Sequence, residues 1–128
     1  MHLWLHGPDS EFFVRRCGAG TITVGDRELA RSFILSHDAL VEDWSVSDVM
    51  TLGEADLEPI LRLEPEVVLL GSGSTLRFPS QQSRAAFLTR GIGLEVMDNA
   101  AAARTFNVLA AEGRKVVAAF ILSIPPQG

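Results

Sequence analysis

The stretch VVLLGSGSTLRFPS (67–80), QQSRAAFLTRGIGLEVMD (81–98) and NAAAARTFNVLAAEGRKVVAAFIL (99–122) decides the fold. Val67 to Leu70 is a continuous apolar run, as a parallel strand covered on both faces requires. It opens into Gly71-Ser72-Gly73-Ser74, where glycine lets the backbone turn sharply and approach a neighbour closely. Ser80 is placed to cap a helix over Gln81 to Thr89, which Gly91 and Gly93 close before a second strand, Leu94 to Met97. Asp98 and Asn99 can both cap the next helix. In that helix Ala102, Phe106 and Leu109 form a stripe at i, i+4, i+7, and Arg104 and Asn107 share another face. Gly113 ends it, Val116 to Leu122 is a third strand, and Pro125-Pro126 ends the ordered chain. Strand, loop, helix, strand, helix, strand in this order predicts parallel neighbours joined by right-handed crossovers.

Upstream, the pattern changes to antiparallel sheet. Glu11 to Arg16 and Thr21 to Val24 read as strands separated by the Gly18-Ala19-Gly20 turn. Gly25-Asp26 makes a second turn before Glu28 to Ser36, whose broken alternation predicts a bulge or bend. Ala39 to Val46 resumes strand character around Trp44. Thr51 to Leu63 reads as a helix, with Leu57, Ile60 and Leu61 on one face and Glu54 and Asp56 in its first turn. Glu64-Pro65-Glu66 ends it. The opening MHLWLHGP reads as a fraying terminus.

Composition bounds the function classes. One domain over 1–128, with a real core, is the expectation for 128 residues that are 47% hydrophobic with mean hydropathy +0.21. A net charge of −5 argues against nucleic-acid binding, which needs a basic surface. A single cysteine, Cys17, builds neither an internal disulfide nor a thiolate metal cluster, and fits a reducing compartment. The N-terminus has no signal-peptide pattern, and the longest apolar run is far below the roughly 20 residues that span a bilayer. A soluble, cytoplasmic protein that is not integral to a membrane is expected. The charge is uneven: residues 38–66 hold nine acidic groups against Arg62 alone, while 67–128 hold six basic and three acidic groups. This is either a solvated acidic surface or a contact face for a basic partner.

Candidate sites are few. The Gly71–Ser74 loop has neither the GK[ST] ending of a P-loop nor the spacing of a dinucleotide fingerprint, which favours a tight turn over a nucleotide cradle. His2 and His6 have metal-ligand spacing only on a helix and lack a companion carboxylate motif, so no metal is expected. Cys17 sits in an alternating strand as a small hydrophobe, and Ser72 and Ser74 have no base nearby in sequence, His37 being the central histidine. No catalytic set emerges, and no cofactor is expected. Arg77, Arg90, Arg104 and Arg114 could converge on an anion near the strand ends. The best candidate ligand site is the junction of Gly71, Ser72, Gly73 and Ser74 with Asp98 and Asn99, where helix-terminal amides plus Arg77 or Arg104 attract a small anion.

The GSG of Gly71 to Gly73, with Val96, Asp98, the TFN of Thr105-Phe106-Asn107, Leu109 and the EGR of Glu112-Gly113-Arg114, resembles the Mth-type domain family. That family includes a mitochondrial assembly factor for respiratory complex I, an adipogenesis-associated protein and bacterial members. The resemblance covers residues 67–122 best. It implies an α/β (α+β) fold in three β/β/α layers, antiparallel N-terminal strands joined to a C-terminal parallel βαβαβ unit. It also implies a non-enzymatic role in which the partner is a respiratory-complex subunit or co-assembly factor. Thr105, Phe106, Asn107, Glu112, Gly113 and Arg114 are then chiefly structural. Many relatives carry a cysteine just before the TFN element; Ala103 and Arg104 stand there in this chain, so thiol chemistry at that patch cannot operate. The other class of function, a small-anion or metabolite binder or enzyme at the Gly71–Ser74 loop and Asn99 helix start, stays open at this point.

Overall fold

The computed structural model describes residues 2–5 and 12–123. Its strands are β1 (His2–Leu5), β2 (Val14–Cys17), β3 (Ile22–Val24), β4 (Arg27–Leu29), β5 (Phe33–Leu35), β6 (Ala39–Glu42), β7 (Val67–Gly71), β8 (Gly93–Met97) and β9 (Val116–Phe120). Three helices, α1 (Glu54–Leu61), α2 (Gln81–Leu88) and α3 (Asn99–Ala111), accompany a 3-10 turn at Val49–Thr51. Six strands form one sheet in the order β1-β6-β5-β9-β7-β8, and β2-β3-β4 form a smaller one.

The parallel unit stands as the sequence predicts. Val67 and Gly71 of β7 lie beside Gly93 and Met97 of β8 on one side and beside Val116 and Phe120 of β9 on the other, both pairings parallel. The N-terminal strands pair antiparallel throughout, and β5 joins the two halves by pairing antiparallel with β9. Phe33 of β5 stacks on Phe120 of β9 across that seam, ring centres 5.0 Å apart.

Burial explains the layering. On one face of the large sheet Phe33, Leu35, Leu69, Ala118 and Phe120 pack against the small sheet's Val14, Ile22 and Val24 and against Ala102 and Phe106 of α3. On the other face Ile34, Val68, Leu70, Val117 and Ala119 meet Leu57 and Ile60 of α1 and Phe87 of α2. The small sheet, the large sheet and α1 with α2 are the three layers, and α3 lies beside the small sheet. Alanines 102 and 103 let α3 sit close to the strands while giving it strong helix propensity. Asp98 caps it by accepting from the Ala101 amide, Ser80 caps α2 through the Ser83 amide, and Gly113 leaves α3 at φ +78°.

Four boundaries differ from expectation. His2–Leu5 does not fray but pairs antiparallel with Ala39–Glu42, which supplies the backbone partners that local sequence cannot reveal. His2 is therefore in a strand, while His6, the Glu11 start of the first expected strand and Pro125-Pro126 lie outside the described residues. The expected Glu28–Ser36 strand is two strands in different sheets. The corner between them is held by buried Ser32, whose Oγ accepts from the Leu122 amide at 2.8 Å and donates to the Val46 carbonyl. The Ala39–Val46 strand stops at Glu42, where Asp43 turns the chain at φ +57°. Trp44 then buries its ring and donates Nε1–H to the Asp56 carbonyl of α1 at 2.9 Å. The first helix is shorter than expected and contains Pro59, which removes one intrahelical donor. It ends at Leu61 in tight turns that bring Glu64 to φ +51°.

Candidate functional site

The Gly71–Ser74 loop follows β7, and Asp98-Asn99 follows the adjacent β8, so parallel pairing alone brings them together. The contact is closer than adjacency demands. The Ser72 amide donates to the Met97 carbonyl at 2.9 Å, and the Asn99 amide donates to the Gly73 carbonyl at 2.8 Å. Asn99 is buried, and its side chain spans the gap: Oδ1 accepts from the Gly73 amide at 3.2 Å, while Nδ2 donates to the Ile121 carbonyl at 3.0 Å. The Ile121 amide in turn donates to the Gly71 carbonyl at 3.0 Å. One amide side chain thus joins the exit of β7, the exit of β9 and the start of α3.

Gly71 is required by that joint. A Cβ there would collide with Asn99 Oδ1 and come within 3.2 Å of Phe120 Cδ1. Gly73, at φ +117°, takes a backbone conformation that side chains rarely adopt. Ser72 is buried, and its Oγ donates to the Thr75 carbonyl at 2.7 Å and accepts from the Arg77 amide at 3.0 Å, folding the loop onto itself. Ser74 is exposed. Asp98 Oδ1 takes the Ala101 amide at 2.8 Å. At this junction the donors and acceptors are largely engaged with one another.

The four arginines do not converge. Arg77 reaches Asp48, 3.6 Å away, and Arg90 donates to the Ala86 carbonyl of its own helix end at 2.6 Å. Arg90 and Arg114 precede β8 and β9, so they lie at the strand starts, opposite the Gly71 loop. Arg104 is exposed on α3, where its charge reaches Cys17. Burial raises the Cys17 thiol above its ordinary value, the Asp98 carboxylate raises it further, and Arg104 opposes both. Little thiolate exists at neutral pH, so Cys17 should alkylate with iodoacetamide more slowly than glutathione at pH 7.5, and Arg104→Ala should slow it further. Thiol loss followed with Ellman's reagent checks both; a rate above that of glutathione would show an activated cysteine.

Asn107 plays a second bridging part. Its Oδ1 accepts from the Val14 amide at 2.9 Å and its Nδ2 donates to the Val14 carbonyl at 2.8 Å, as a neighbouring strand would. Phe106 is fully buried beneath it, Thr105 is half-buried, and Glu112, Gly113 and Arg114 are exposed where α3 ends. Among the described residues no group of His, Cys, Asp and Glu is arranged to hold a metal ion, and no helix is long and apolar enough to cross a membrane. Sequence reasoning did not single out Trp44 with Asp56, nor Ser32; their partners are far along the chain.

A mixed α/β fold with an antiparallel half and a parallel βαβαβ half places the chain in the Mth938-like class of fold. The chain belongs to the family described as "Protein of unknown function (DUF498/DUF598)", which matches residues 14–121. It is similar to the human protein named NADH dehydrogenase (ubiquinone) 1 alpha subcomplex assembly factor 3, 35% identical over 111 residues that make up 85% of this chain. The chain spans 58% of the length of that curated relative. Among solved structures, XCC1710 of Xanthomonas campestris is 46% identical with a TM-score of 0.85, covering 96% of this chain and 93% of that one. A Bordetella pertussis protein whose solution structure is described as a Mth938-like domain is 27% identical with a TM-score of 0.75, covering 87% of this chain and 85% of its own.

Proposed function

We propose that this protein is a non-enzymatic interaction protein that assists assembly of a respiratory, complex I-like enzyme, binding one of its subunits or a co-assembly factor. The observation that carries this reading is the similarity to assembly factor 3 across 85% of the chain. The geometry supports it, because the polar groups at the carboxyl ends of the parallel strands are spent on internal hydrogen bonds. A small-anion or metabolite site at Gly71–Ser74 and Asn99 would need amides that Asn99 and Asp98 already hold. Glu54, Glu64 and Glu66, in the acidic segment 38–66, are exposed and add negative charge suited to a basic partner. Deleting the gene in its source organism should lower the amount of fully assembled NADH dehydrogenase complex on native gels and leave subassemblies, with the wild-type gene restoring it. Unchanged levels of assembled complex would overturn the reading.

A further inference from the structure

The sheets treat their edges differently. The edge of the small sheet at β2 is closed, because Asn107 occupies both the N–H and the C=O of Val14. Its other edge, β4, is tied down by Arg27, which reaches Glu42 of β6 at 2.8 Å. The large sheet ends at β1 and at β8, and among the described residues no strand pairs with the outer side of β8.

The register fixes which groups that side presents. The Gly93 amide donates to the Glu66 carbonyl, and the Met97 carbonyl accepts from the Ser72 amide. Along a parallel strand, residues alternate in the side to which they turn both backbone groups. Gly93, Glu95 and Met97 therefore face β7, and the N–H and C=O of Leu94 and Val96 point outward. The strand GLEVM contains no proline, lysine or bulge to block an incoming strand. Leu94 and Val96 sit half-buried against the α2 side, while Glu95 is exposed on the opposite face. A second copy is a poorer occupant: the antiparallel register that pairs the outward groups of both Leu94 and Val96 in both copies sets Glu95 against Glu95, and like charges directly opposite repel.

We propose that the outer edge of β8 receives an extended segment of a partner protein as a further strand. The segment carries a lysine or arginine opposite Glu95 and β-branched apolar residues on either side of it. Four backbone hydrogen bonds from Leu94 and Val96 give affinity, and the charge pair gives selectivity. This rests on the interaction reading above and names the surface that would serve it.

The test titrates the nitrogen-15-labelled full chain with acetyl-Thr-Val-Lys-Val-Thr-amide and with its counterpart bearing glutamate at the centre. Amide shifts at Leu94 and Val96 are expected with the lysine peptide, and binding about fivefold weaker with the glutamate peptide. Leu94→Pro removes an outward donor without touching a bond to β7, and should abolish binding while amide dispersion remains native. If Leu94→Pro does not fold, Glu95→Lys replaces it and should reverse the preference between the two peptides. Shifts absent at both residues with millimolar peptide, equal binding of both peptides, or wild-type binding by Leu94→Pro would overturn the proposal. Those failures leave the gene-deletion result untouched, so the edge and the assembly role fall or stand separately.

Discussion

Gly71→Ala should lower the melting temperature by on the order of 10 °C. The added methyl group collides with Asn99 Oδ1 and crowds the ring of Phe120. Overpacking of this kind costs about 1–3 kcal/mol by itself. Phe120 is stacked on Phe33 and cannot move freely, so Asn99 must give way. Its displacement strips the Gly73 amide and the Ile121 carbonyl of their partners, at about 1–3 kcal/mol for each buried group left unsatisfied. A combined loss of about 3 kcal/mol or more follows, after allowance for partial relaxation. Thermal melts by circular dichroism measure it. Gly20→Ala is the control, since a Cβ there meets nothing within 4 Å, and its melting temperature should stay within a degree or two of wild type. A Gly71→Ala protein that melts with the control would remove the asparagine joint from the account.

Asn107→Leu should be the second most costly of these changes, lowering stability by about 2 kcal/mol. Leucine keeps the volume but neither hydrogen bond, so the Val14 N–H and C=O lose their side-chain partner at an edge already irregular between Val14 and Arg16. The effect should be partly local: exchange of the Val14 amide should speed up by more than that of the Leu69 amide in the centre of the large sheet. Asn107→Ala should behave similarly and lower thermal stability more clearly than partner binding. Full thermal stability combined with lost partner binding would instead make Asn107 a contact residue.

Much of the fold was legible because its C-terminal half obeys local rules. Apolar four-residue runs, Ser80 and Asp98 as caps, and Gly113 as a stop each act over a few residues, and parallel order follows from helix-sized connections. The N-terminal half was less legible where tertiary partners decide. Nothing near His2–Leu5 announces that Ala39–Glu42 will pair with it, and the break after Leu29 becomes a change of sheet because Ser32 finds Leu122 and Val46, both remote in sequence. At the candidate site, loop and helix start were legible as neighbours from strand order. The direction of the Asn99 side chain was not, because its partners, Gly73 and Ile121, come together only when β7 and β9 are already paired. For Asn107 the sequence suggested a structural tie, and the distant backbone of Val14 was the part it could not supply.

The seam between β5 and β9 sets a schedule for the nascent chain. Phe33 leaves the ribosome well before its pairing partner Phe120 has been made. At about 5–20 residues per second, the N-terminal strands wait on the order of ten seconds before the middle of their sheet exists. During that interval Phe33, Ile34 and Leu35, all fully buried in the finished protein, have no strand on one side. Chaperone demand should therefore peak just before synthesis reaches β9 and fall as soon as that strand emerges.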